Sequence, residues 1–156
     1  MKMRRHDREI TDQAKIIEII HQCDCCRVGF PEADGAYILP LNFGFDEEKN
    51  AFYFHGANEG KKAELARTNP RVGFELDRGH MLTEGGIACE YSFKYQSVIG
   101  KGVFSIVADA EERRNGFLVI MKHYTGRTDW TFDESLMKRT DIYRLEVNEW
   151  SCKEHE

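Results

Sequence analysis

Three runs rich in aromatic and β-branched residues, Cys26 to Phe30, Ala36 to Phe45 and Ala51 to His55, crowd into one short stretch of the chain. Only Glu32-Ala33-Asp34-Gly35 and Asp46-Glu47-Glu48-Lys49-Asn50 interrupt them, and both are turn compositions. Runs so spaced pair as an antiparallel meander. Pro40 removes a ladder donor from the second run, so that strand must be bent, bulged or exposed at one edge there. Its imperfect alternation predicts a strand buried on both faces.

Elsewhere the period changes. Ile16, Ile17, Ile19 and Ile20 form an apolar stripe at helical spacing over Gln13 to Gln22, which Thr11 or Asp12 can cap. Gly60 to Thr68 is helical in pattern, and Asn69-Pro70 stops it because the residue before proline avoids the helical region. Val72 to Leu76 reads as a strand, and Ala88 to Ala108 as a long pair of strands broken near Gly100 and Gly102. Ala110 to Tyr124 is a longer helix ended by Gly126, and Tyr143 to Val147 is a last alternating strand. Strands grouped as hairpins, six or seven of them with three helices, predict an α+β, mainly β fold on a closed or nearly closed antiparallel barrel. The sequence has no internal repeat and no linker that would separate two domains. Residues 1–156 are therefore expected to be a single domain, with Arg4 to Val147 as the folding unit and tail-like ends.

Net charge narrows the function classes. With 22 basic against 27 acidic side chains the chain carries −5, so no general electrostatic attraction draws it to nucleic acid or to an anionic membrane. No apolar run is long enough to span a bilayer, and Met1 to Ile10 leads into acids rather than the apolar core of a secretory signal. Five cysteines, three of them at Cys23, Cys25 and Cys26, do not form the pattern of a secreted disulfide scaffold. A reducing cytoplasm is the expectation. Cys23 and Cys26 form a Cys-x-x-Cys pair, but a zinc site needs two more ligands and no second pair exists, so packing is the expected role and no metal is expected.

The stretch Phe52-Tyr53-Phe54-His55-Gly56-Ala57-Asn58-Glu59-Gly60-Lys61-Lys62 carries the most chemistry. A strand ends, a loop with glycines follows, and a helix opens on two lysines, where the helix dipole disfavours cations. A bound anion reverses that sign, and phosphate is the natural one. The alternative is that both lysines are solvated, with Glu59 or Glu64 as local partners. Asn42 needs partners for its amide, which are either backbone or the edge of a heteroaromatic ring. His55 is either a structural histidine or a group beside a ligand.

These blocks, with Arg4-Arg5-His6-Asp7-Arg8-Glu9-Ile10, Tyr37 to Gly44, Asn69-Pro70-Arg71-Val72 and Tyr95-Gln96-Ser97-Val98-Ile99-Gly100-Lys101-Gly102, resemble in order and spacing the nitroimidazole-resistance (Nim) family of pyridoxamine 5′-phosphate oxidase-like, FMN-binding split-barrel proteins. The resemblance implies a six-stranded antiparallel split β-barrel with flanking helices, a homodimer, and FMN at the dimer interface. It implies ring contacts from Leu39, Pro40, Leu41 and Asn42, phosphate contacts from Gly60, Lys61 and Lys62, His55 near the flavin as the catalytic candidate, and an approach by Ser97 and Val98. The implied activity is that of an FMN-dependent oxidoreductase on a small organic acceptor, with a nitroimidazole nitro group as one possibility. The rival is a flavin- or haem-binding storage or sensor protein of the same fold, with His55 or His123 as haem ligand, the alternative for His123 being a plain surface residue of its helix.

Overall fold

The computed structural model describes residues 4–156; the first three residues of the expected domain, Met1 to Met3, lie outside the described residues. Along the chain come β1 (Glu9–Ile10), α1 (Gln13–His21), β2 (Cys26–Glu32), β3 (Gly35–Leu41), β4 (Gly44–Asp46), β5 (Ala51–Ala57), α2 (Lys61–Ala66), β6 (Arg71–Thr83), β7 (Ser92–Ile106), α3 (Ala110–Thr125), α4 (Glu134–Met137) and β8 (Thr140–His155). All strand pairings are antiparallel, in the order β3-β2-β6-β7-β8-β5-β4, with β1 added to β8.

β3 and β4 are the two ends of that order, yet only Asn42 and Phe43 separate them in the chain. Three Cα steps span at most about 11 Å, so the sheet must curl until its edges nearly meet. The interior shows the same curl. Phe52 of β5 meets Phe74 of β6 at a ring-centroid distance of 5.1 Å, although β7 and β8 stand between those strands in the sheet. Phe30, Phe54, Phe104 and Tyr143 fill the rest of this split barrel, and Ile16, Ile19 and Ile20 of α1 join the same buried cluster. Asp12 starts α1 by accepting a hydrogen bond from the Ala14 amide at 3.0 Å.

A smaller layer lies outside the barrel, where α3 packs on Ala51, Tyr53 and Ile142. Helix and sheet touch backbone to backbone. A Cβ on Gly44 would lie 2.4 Å from the Val119 carbonyl carbon, and one on Gly116 would lie 2.7 Å from the Ile142 side chain.

Several sequence expectations are corrected. The run Ala36 to Phe45 is two strands, because at Asn42 the chain leaves one sheet edge for the other. β3 is not buried on both faces. As an edge strand it tucks Tyr37, Leu39 and Leu41 partly against the core and leaves Ile38 60% exposed, which also explains how Pro40 is accommodated. β7 is one continuous fifteen-residue strand rather than a broken pair. Its glycines mark close approaches: a Cβ on Gly100 would strike Phe74 at 2.4 Å, and one on Gly102 would strike the Glu146 carbonyl oxygen at 2.2 Å beside a bulge. The C-terminal end is no tail, since β8 runs to His155 and buries Cys152. Among the described residues there are eight strands and four α-helices, the extra ones being the short β1, β4 and α4.

Candidate functional site

Lys62 occupies the most distinctive electrostatic position. It is half-buried, its ammonium donates to the His55 carbonyl oxygen at 3.3 Å, and it lies 4.8 Å from the centroid of the Tyr143 ring. No carboxylate lies within ion-pair distance of it among the described residues, and burial lowers its pKa. Gly56 makes the position possible, because a Cβ there would fall 2.1 Å from Lys62 Nζ. Tyr143 is held in turn by its hydroxyl, which donates to the Ala57 carbonyl oxygen at 2.7 Å, and by stacking on Phe104.

Lys61 is wired differently. Its ammonium sits 2.8 Å from Glu32 Oε1 at the end of β2 and 4.2 Å from the centroid of the Tyr37 ring on β3. Glu32 is thus its partner rather than Glu59 or Glu64, and this pairing raises the Lys61 pKa. Gly60 precedes both lysines with φ +93°, a conformation that disfavours any other residue, and has no side chain to cap the helix start.

His55 follows Tyr53 on the outer face of β5 and is exposed. Partial desolvation by neighbouring protein atoms, and then the Lys62 ammonium, lowers its pKa. Tyr37 lies against Lys61, and Lys62 meets the backbone of His55, so the free edge of β3, the start of α2 and the end of β5 converge here. Leu39, Pro40 and Leu41 continue along that free edge, whose backbone groups have no strand beyond them. The arrangement offers an uncompensated cation for an anion and an extended backbone edge for a polar ring, with the His55 imidazole within electrostatic reach of the Lys62 ammonium.

The family model described as pyridoxamine 5′-phosphate oxidase matches residues 12–154. The chain belongs to the pyridoxamine 5′-phosphate oxidase family. Among solved structures of this fold it is similar to a candidate 5-nitroimidazole antibiotic resistance protein from Bacteroides thetaiotaomicron, with 29% identity, a TM-score of 0.79, and coverage of 93% of this chain and 85% of that one. This agrees with the nitroimidazole-resistance resemblance of the sequence blocks. It is similar in fold to a FAD- and haem-binding protein from Mycobacterium smegmatis (17% identity, TM-score 0.84, covering 96% and 74% of the two chains). A FAD-binding protein from Mesorhizobium loti also shares the fold (21% identity, TM-score 0.66, 96% and 98% covered). No curated protein matches the sequence.

Other family-implied residues fall apart within one chain. His55 pairs with Ile142, whereas Val98 pairs with Cys152. These partners are ten residues apart on β8, on the order of 30 Å along the strand. Val98 is sealed in the barrel core, and Ser97 beside it is half-buried. Asn42 is exposed, and its amide donates to the Tyr124 hydroxyl at 3.2 Å, which in turn donates to the Asp24 carbonyl oxygen. The structure thus gives Asn42 a side-chain partner from α3.

His123 is half-buried. Its ring packs 4.3 Å from that of Phe43, and Nε2 lies 2.8 Å from the Cys23 carbonyl oxygen, so Nε2 carries the proton and the buried Nδ1 has no partner. It borders a cleft of about 750 Å³ between α1, α3 and the β4–β5 turn that contains none of the family-implied residues. Cys23, Cys26 and Cys152 are buried core residues, and burial raises their pKa values, to about 12 for Cys23 and about 11 for Cys152. They are poor thiolates, which suits packing rather than dithiol cycling.

Sequence reasoning missed Glu32, Tyr37, Gly56 and Tyr143 as parts of this surface. Only Gly56 left a local signal, a glycine interrupting an aromatic strand. Glu32 sits 29 residues from Lys61 within an ordinary turn composition, and nothing local couples the two.

Proposed function

We propose that this chain binds FMN on the Tyr37–Lys61–Lys62–His55 surface and is an oxidoreductase acting on a small organic acceptor, nitroimidazole-type compounds among them. The observation that carries this reading is Lys62: a half-buried ammonium without a carboxylate, at the position the family resemblance assigns to flavin phosphate. Gly60 and Lys61 complete the phosphate contacts, and the β3 edge at Leu39, Pro40 and Leu41, with Asn42 just beyond it, faces the ring. When bound, a flavin supplies electron transfer to or from the organic molecule. The chain's own groups bind, orient and exclude water, and His55 donates a hydrogen bond to the acceptor as charge develops on it, with a proton available from its imidazolium form at lower pH.

A homodimer belongs to the same reading: Ser97 on β7 pairs with Lys153 while His55 pairs with Ile142, and this separation within one chain supports a second copy bringing Ser97 to the site. Its interface should exceed the ~1,200 Å² of stable association. A monomer in solution that binds FMN tightly would sink the dimer. Among the described residues no helix is long and apolar enough to cross a membrane. Five free thiols accord with our placement of the protein in a reducing cytoplasm.

The purified protein should be yellow with flavin absorption bands that NAD(P)H or a chemical reductant bleaches. A Soret band without flavin bands would instead assign it to haem, and flavin that no donor reduces would assign it to storage. His55→Ala should keep its flavin while turnover of a nitroaromatic acceptor drops by ~10²-fold or more. Unchanged turnover with a lowered melting temperature would make His55 a structural residue.

A further inference from the structure

The two lysines at the start of α2 look equivalent in sequence and are not equivalent in charge. The Glu32 carboxylate holds Lys61, at 2.8 Å from one oxygen and 2.9 Å from the other, whereas Lys62 carries the one unopposed charge of the pair. Glu32 reaches Lys61 from the end of β2, and the Tyr37 ring of β3 lies beneath the same ammonium. A phosphate monoester brings a charge of about −1.5 to −2 at pH 7. On reaching Lys61 it meets a donor already committed to a carboxylate. Either Glu32 withdraws, and its ion pair is lost, or it remains as a like charge within a few ångströms of the phosphate.

We infer that Glu32 is a specificity-determining residue of this site: its carboxylate competes with the ligand's phosphate for Lys61 and thereby limits the preference for a phosphorylated flavin over an unphosphorylated one. This inference rests on the flavin reading above. Glu32 lies outside the buried barrel cluster and its charge is paired with Lys61, so its main effect falls on binding selectivity. Its side chain is 28% exposed, which leaves it room to swing away, and solvent screening keeps the effect moderate.

Titrating the protein and its Glu32→Gln variant with FMN and with riboflavin tests this. Glu32→Gln should bind FMN about three- to tenfold more tightly and riboflavin within about twofold of the parent. Unchanged or weaker FMN binding by Glu32→Gln would overturn the inference, because the carboxylate would then be neutral to the ligand or would be orienting Lys61 for it. Glu32→Asp, which keeps the charge but withdraws it by one methylene, should fall between the two, and it provides the same reading if the Gln variant folds poorly. The underlying flavin reading fails in a different way. If replacing Lys61 and Lys62 by alanine weakens both flavins equally, these lysines hold no phosphate and Glu32 has nothing to compete with.

Discussion

Alanine at both Lys61 and Lys62 should raise the Kd for FMN by tenfold or more and leave that for riboflavin within about twofold. A charge-assisted hydrogen bond contributes roughly 1.5–3 kcal/mol, and each 1.4 kcal/mol is a factor of ten. Riboflavin has no phosphate and so cannot report the loss. The single variants should be unequal. Lys62→Ala removes a half-buried cation that has only a carbonyl and the Tyr143 ring as neighbours, so its full interaction with an anion disappears. Lys61→Ala removes a charge that Glu32 already offsets, and its effect should be smaller. The pH dependence has a defined sign. Burial lowers the Lys62 pKa, so FMN affinity should fall on the alkaline side earlier than an ordinary lysine would dictate. Isothermal titration with both flavins across pH checks all three statements, and equal weakening of FMN and riboflavin by the double variant would refute the phosphate role.

Truncating Phe104 to alanine should destabilise the protein by about 3–5 kcal/mol. Phe104 is fully buried and lies 5.0 Å from Phe30, 5.7 Å from Phe54 and 5.5 Å from Tyr143 by ring centroids, so it joins β2, β5, β7 and β8 at one point. The surrounding strands are tied by ladder hydrogen bonds and cannot collapse into the space left behind. For a domain of this size, about 2–4 °C of melting temperature per kcal/mol implies a drop of roughly 6–20 °C. Chemical and thermal unfolding of the variant measure it directly. A loss below about 1 kcal/mol would show that the barrel interior tolerates the void. Because Tyr143 lies between Phe104 and Lys62, the same variant should also weaken FMN more than riboflavin, through a loosened seat for the ammonium.

Local patterns carried far for the helices. The Ile16, Ile19 and Ile20 stripe, the Asp12 cap and the Gly126 stop, with φ +72°, all lie where short-range spacing puts them, because capping and amphipathicity involve neighbours within one or two turns. Strand limits were less legible. Gly100 and Gly102 look like breaks in sequence, yet each makes room for a group on another strand, Phe74 in one case and the Glu146 backbone in the other. Likewise β8 continues through Asn148 to His155 despite weak alternation, because β7 and β1 supply its ladder partners.

By itself the sequence determined that an antiparallel meander would form, that helices would flank it, and that a strand-to-helix turn with two lysines would present cations at its start. These follow from side-chain period, turn chemistry and the dipole of a helix, all of which act over a few residues. Only the tertiary structure decided that the two sheet edges meet across Asn42 and Phe43, that Lys61 belongs to Glu32 while Lys62 stands alone over Tyr143, and that Ser97 lies far from His55. Charge pairing and barrel closure depend on distances between residues remote in the chain, and those distances exist only once the sheet has curled around its aromatic core.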